Sequence, residues 1–248
     1  MPDATALGLS RLCIPFTPFR GRLDEATVCL VTTAGVRLRS QPAFHAEHEL
    51  GHRVIPGTAT SAELTVDDTH YDHSCVDQDR NCVFPIDRLR ALAGAGKIGG
   101  LTERHFSTAF TAQLRDFAAL TAIRLAQEIA LERPQAVVLT GGCRMCHRTA
   151  AALQRAIEMQ GIPTVVITAE PEETEQSRVP RALCPRGGAP GHVLGPAGDA
   201  ELQGRVLLDA LELLTGPPRP GEVVFREYVR AAPPDGVRGP HPPSAARP

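Results

Sequence analysis

Ala136-Val-Val-Leu-Thr-Gly-Gly-Cys143-Arg-Met-Cys146-His147-Arg148-Thr149 joins an apolar run to an alanine-rich stretch through a glycine pair. The β-branched run predicts a buried strand over 136–140, and Gly141-Gly142 predicts a tight turn. The residues beyond predict a helix over 147–160, with its regular part running from Thr149 to Gln160. A Cys-x-x-Cys pair therefore falls where a strand end meets a helix N-terminus. The partial positive charge of a helix start favours a thiolate, the nucleophilic form of cysteine.

Working outward, Pro163–Thr168 is a second apolar run, so strand, helix and strand form a parallel pair with a right-handed crossover. Upstream, 27–33 reads as the first strand, and 52–56 and 62–66 as short strands. Pro85 opens a helix that Gly94 and Gly96 close. Apolar residues at helical spacing from Phe106 to Leu131 predict the longest helix of the chain. Residues 171–198 read as mostly irregular, and 201–214 as a last helix. The expected fold is α/β, a parallel sheet in Rossmann or flavodoxin-like layers with helices on both faces and active loops at the strand C-terminal ends. A single domain is expected over 27–232, with two lobes (27–105 and 106–232) as the alternative. A Pro-rich arm (1–26) precedes it, and a Pro, Gly, Ala and Arg-rich tail (233–248) reads as disordered.

Composition narrows the class. The 248 residues are 42% hydrophobic and 22% charged with a net charge of −2, so no basic field argues for nucleic acid or a membrane surface. No apolar run approaches the roughly 18 residues of a membrane helix, and no signal peptide is evident at Met1. Seven irregularly spaced cysteines without an export signal favour reduced thiols and a cytoplasmic location.

Three readings compete for the dithiol: a redox or nucleophilic pair, half of a zinc or iron–sulfur site completed by Cys75, Cys184 or a histidine, and two incidental structural thiols. Basic Arg144, His147 and Arg148 favour the first, and no metal ligand set is assigned. Cys143 lies nearest the turn, where solvent reaches, and reads as the attacking thiolate. Cys146 lies deeper and reads as the resolving thiol, leaving a disulfide that a thiol reductant protein must restore.

The polar stretch from Asp67 to Asn81 reads as a long loop, with His70, Asp72 and His73 followed by Asp77 and Asp79. It is a candidate source of a proton donor or a substrate amine contact, of a metal site, or simply of turn caps. His105 is a further candidate for the same pocket. His45, His48 and His52 read as a solvated loop, Cys82 as a buried structural thiol, and Gly187, Gly188 and Gly191 match no phosphate-binding pattern.

Thr140 to Thr149, with Gln154–Glu158 and Gly161–Thr164, resembles the selenocysteine-site segment of the D-proline reductase small-subunit and glycine/sarcosine/betaine reductase selenoprotein B family. Val31–Val36, His70-Tyr-Asp-His73, Asn81–Leu89 and Val179–Leu183 are similar too, in matching order. The resemblance implies reductive cleavage of a C–N bond in an amino acid or related amine. It implies attack on a substrate presented by a partner subunit's pyruvoyl group, no intrinsic cofactor, and an oligomeric assembly. Cys143 stands at the family's selenocysteine position, and Thr149 where the glycine-reductase type has a further cysteine. The alternatives are a standalone thiol-dependent reductase or thiol–disulfide oxidoreductase on another small molecule, and a metal-binding non-catalytic protein.

Overall fold

In chain order the strands are β1 (Thr27–Thr32), β2 (Val36–Leu38), β3 (Arg53–Pro56), β4 (Leu64–Val66), β5 (Gly100–Leu101), β6 (Arg104–Ser107), β7 (Ala136–Thr140), β8 (Thr164–Ile167), β9 (Ala182–Pro185) and β10 (Val223–Arg226). The helices are α1 (Ile86–Gly94), α2 (Leu114–Asp116), α3 (Ala122–Leu131), α4 (Arg144–Glu158), α5 (Pro171–Ser177) and α6 (Ala200–Glu212). These come from a computed structural model that describes residues 13–45, 49–68, 70–217 and 219–228. The tail expected over 233–248 lies outside the described residues, as does His48.

Among the described residues, eight strands form one sheet in the order β10-β9-β8-β7-β1-β6-β3, with β5 also paired to β1. All pairs are parallel except β3 with β6. β2 and β4 make a separate antiparallel pair. The fold is thus the α/β class expected.

Side chains alternate across each strand, so the sheet divides the interior in two. Val28, Leu30, Ala136, Val138, Val165 and Ile167 pack with Ile86 and Leu89 of α1 and Val206, Leu207 and Ala210 of α6. Cys29, Val31, Val137, Leu139 and Val166 pack with Leu125 and Ile129 of α3 and Leu153 and Ile157 of α4 on the opposite face.

The continuous helix expected from Phe106 to Leu131 is not formed. Phe106 belongs to β6, fully buried between β1 and β3, and the helical part begins at Leu114 and passes through a π-turn at Phe117–Thr121 before α3. The spacing of Phe106, Phe110, Leu114 and Phe117 mimics a helix, but pairing on two sides recruits residues 104–107 to the sheet, an override that local periodicity does not encode. The helical run Leu114–Leu131 is nevertheless the longest among the described residues, ahead of α4, which starts at Arg144, three residues before the expected boundary. Residues 171–198 also hold more structure than expected. Pro171 starts α5, and Ala182–Pro185 is a buried strand. Strand β10 was not anticipated; it is short and half exposed.

Strand order fixes the working end of the sheet. From β1 the chain moves toward β6 on one side, whereas β7 through β10 progress to the other. The crevice at the C-terminal ends of β1 and β7 is therefore the topological switch point, where open α/β sheets bind ligands.

Candidate functional site

Cys143 and Cys146 sit at that crevice. β7 ends at Thr140, the glycines turn the chain, and Cys143 becomes the N-cap of α4, its sulfur accepting the Cys146 N–H at 3.3 Å. A sulfur at this position faces the unpaired N–H groups and positive end of the helix. The expectation that solvent reaches Cys143 freely is corrected, because it is only 4% exposed, and Cys146 is fully buried. Both are free thiols, their sulfurs 2.8 Å apart. Thr33, just past β1, anchors the first turn of α4 by donating its hydroxyl to the Cys146 carbonyl at 2.7 Å.

The sulfurs differ in their partners. Cys146 donates its S–H to Asp68 Oδ2 at 2.9 Å. Asp68 is 1% exposed, and its other oxygen accepts the His70 N–H and faces His70 Nδ1, both at 2.9 Å. Burial, the hydrogen bond to Cys143 and the charge of Asp68 all push the Cys146 thiol well above its ordinary range. Cys146 is thus the sulfur that keeps its proton. Asp68, Cys143 and Cys146 present one oxygen and two sulfurs within 4.8 Å of one another, a donor set able to hold a soft divalent cation.

Asp68 is the site residue that sequence reading missed. It stands 78 positions from Cys146, within the His/Asp-dense stretch but ahead of the residues chosen there. Its signal is its place two residues beyond the apolar strand β4, which carries a carboxylate inward rather than onto a solvated loop.

The other candidates separate. His70 reaches the site through Asp68 and sets its ring edge-on to Phe110 at 4.4 Å, and Phe110 packs with the two cysteines. His73 bonds the Asp68 carbonyl through Nε2 and stacks on Tyr71 at 5.0 Å. Asp72 is exposed and caps its own turn, accepting from the Ser74 N–H and hydroxyl at 2.9 Å each. His105 is buried in β6, its Nδ1 accepting the Leu30 N–H at 3.0 Å, and burial lowers its pKa to about 4. His147 is buried with both ring nitrogens engaged: Nδ1 lies 2.7 Å from the Cys143 carbonyl, and Nε2 accepts the Ala169 N–H at 3.1 Å. Burial holds its pKa near 4, so it is neutral, carries its proton on Nδ1 and ties the first turn of α4 to the end of β8. Arg144 and Arg148 both pair with the buried Glu173 of α5, so one carboxylate offsets part of their charge beside Cys143.

Tyr71 completes the enclosure. Its ring lies against Gly142 and Gly191, where a Cβ at either glycine would meet ring atoms inside van der Waals contact. Its hydroxyl is buried with no hydrogen-bond partner among the described residues, and burial beside the Asp68 charge keeps it protonated. It is an unspent donor next to the thiols.

The sequence model of glycine/sarcosine/betaine reductase selenoprotein B matches residues 14–142, stopping one residue before Cys143. D-proline reductase subunit gamma of Acetoanaerobium sticklandii is 36% identical over 215 residues, covering 86% of this chain and 88% of that protein. Glycine reductase complex component B subunit gamma of Carboxydothermus hydrogenoformans is 30% identical over 61% of this chain and 36% of its own length. Betaine reductase complex component B subunit beta of Peptoclostridium acidaminophilum is 30% identical over 58% of this chain and 34% of its own length. The chain thus spans about a third of the latter two. No solved structure matches it.

Proposed function

Since the chain belongs to the glycine/sarcosine/betaine reductase selenoprotein B family, we propose that it is the dithiol-bearing subunit of a reductase complex that cleaves a C–N bond in an amino acid or related amine of the D-proline type. The observation that carries this reading is the Cys143–Cys146 pair, 2.8 Å apart at the switch point of the sheet. Relatives named as subunits of D-proline, glycine and betaine reductases support a place in a multi-subunit oxidoreductase.

In this reading the Cys143 thiolate attacks the carbon that bears the amine, forming a C–S bond as the C–N bond breaks, and the departing nitrogen takes a proton. Cys146 then attacks Cys143 Sγ. A disulfide forms, the C–S bond breaks, and the carbon leaves with the electron pair and is protonated. The dithiol loses two electrons and the substrate gains them, so a thiol reductant protein must reduce the disulfide before the next turnover. A carbonyl group on a partner subunit, of the pyruvoyl kind, would supply the electron withdrawal that makes the carbon attackable. The residues here fit that division of labour: a nucleophile at the crevice and an unpartnered Tyr71 hydroxyl beside it, available to a substrate atom or to the departing nitrogen. Incubation of the reduced protein with its partner subunit and D-proline tests the reading. Reductive ring opening that Cys143→Ser abolishes supports it; undiminished turnover in that variant removes Cys143 from the mechanism.

The Asp68, Cys143 and Cys146 donor set favours one second reading, a zinc-binding non-catalytic protein. Stoichiometric zinc in protein purified without added metal, lost in Cys143→Ser, would support that reading over the first.

A further inference from the structure

Cys146 must lose a proton to become a nucleophile, and its S–H already points at a hydrogen-bond acceptor. The thiol is fully buried, so water does not reach it. Among the described residues in its neighbourhood, the groups that could accept the proton are few. Both nitrogens of His147 are taken by backbone groups, and His73 Nε2 is engaged by the Asp68 carbonyl. The Tyr71 hydroxyl stays protonated. Asp68 Oδ2, 2.9 Å from the sulfur, remains.

Asp68 also makes a poor structural device. A carboxylate buried to 1% exposure is expensive unless strong donors surround it. His70 supplies such donors to Oδ1, whereas Oδ2 faces a thiol, one of the weakest donors among side chains. The His70 contacts hold the carboxylate so that its second oxygen points at the sulfur. That arrangement is better suited to moving a proton than to stabilising a loop.

We propose that Asp68 is the general base for the resolving step, taking the Cys146 proton as that sulfur attacks Cys143, with His70 as the positioning residue that aims the carboxylate. This rests on the dithiol role given above but on no particular substrate. When a group X is bound to Cys143, the Cys146 S–H bond breaks and its proton passes to Asp68 Oδ2. The Cys146 sulfur then forms the S–S bond, and the bond from Cys143 to X breaks with its electron pair leaving on X. Reduction of the disulfide by an external dithiol lets Asp68 return the proton to Cys146.

An aromatic disulfide, dithionitrobenzoate, separates the two thiols in time. In the full-length protein carrying Cys13→Ser and Cys75→Ser, to silence the thiols outside the core, Cys143 displaces a first thionitrobenzoate and Cys146 a second as the disulfide closes. With Asp68→Asn, which keeps the side-chain shape, the second phase should slow by at least about tenfold while the first changes by less than about threefold. In Asp68→Ala, millimolar formate should restore part of the second phase, which a purely structural carboxylate would not allow. An unchanged second phase, both phases slowed alike, or no formate rescue would overturn the role of Asp68. Failure of the parent protein to release any second equivalent would instead overturn the resolving role of Cys146, on which the proposal stands.

Discussion

The two ends of the sheet differ in a way that locates the chemistry. At the N-terminal ends of β9 and β10 lies a cavity of about 620 Å³, bordered by Arg181, Arg219 and Arg226 and by Glu212 and Glu222. It is roomy and charged, but among its described lining residues there is no cysteine or histidine. The C-terminal end between β1 and β7 is nearly closed, yet it gathers two thiols, a buried carboxylate, a neutral imidazole and an unpartnered phenol. Helix starts point their free N–H groups toward this end only, because every helix that follows a parallel strand begins there. Volume is therefore a poor guide to function in this fold, and strand polarity a good one.

The largest effect that would break this contrast comes from the sulfur itself. Cys143→Ser should lower turnover in the reconstituted complex by about a thousandfold or more, since an alcohol is far less ionised than a thiol. Arg219→Ala at the opposite cavity should leave the rate within about twofold; equal losses in both variants would erase the distinction between the ends. Cys146→Ser should be next, about a hundredfold down in steady state. It should accumulate a covalent adduct on Cys143 visible by intact mass, because attack survives and resolution does not.

Acid sharpens the comparison through stability. His147 at the working end and His105 in the sheet interior both have pKa values lowered by burial to about 4. The unfolded chain takes up these protons near the ordinary histidine value of about 6.5 and the folded protein only near 4, so the stability they contribute is complete above pH 6.5 and is lost as pH falls toward 4. The loss should reach about 3 kcal/mol per histidine. Urea titrations at pH 7, 5.5 and 4.5 should show it, with a shallower fall in His147→Gln. A pH-independent midpoint would contradict the buried neutral rings. Smaller still, Gly142→Ala drives a methyl into the Tyr71 ring and should destabilise the fold by about 1–3 kcal/mol in thermal unfolding. The same change at Gly94, where a Cβ meets nothing, should not.

The sequence discloses the stretch around the dithiol more fully than the stretch before it, for physical reasons. From Ala136 to Ile167, strand, turn, helix and strand follow one another locally, and apolar alternation against helical spacing separates them. Between Arg53 and Thr121 the structure depends on pairing with distant segments. Phe106 joins β6 because β1 and β3 flank it, although its spacing to Phe110 and Leu114 matches a helix equally well. The site divides likewise. Cys143 and Cys146 are legible from their spacing and the glycine turn, whereas Asp68 reaches Cys146 only because residues after β4 fold back over the crevice. Asp72 and His147 carry suitable chemistry in sequence, but the fold engages one with Ser74 and the other with backbone on both nitrogens.

Disulfide mapping tests the central claim most directly, that Cys143 and Cys146 form one two-electron couple at the switch point. Reduced full-length protein would be treated with one equivalent of an aromatic disulfide, alkylated and digested. The account predicts a dominant linked species joining the peptides of Cys143 and Cys146, which dithiothreitol reverses. Recovery of both cysteines in alkylated form, or of either bridged to Cys13 or Cys75 instead, would contradict it.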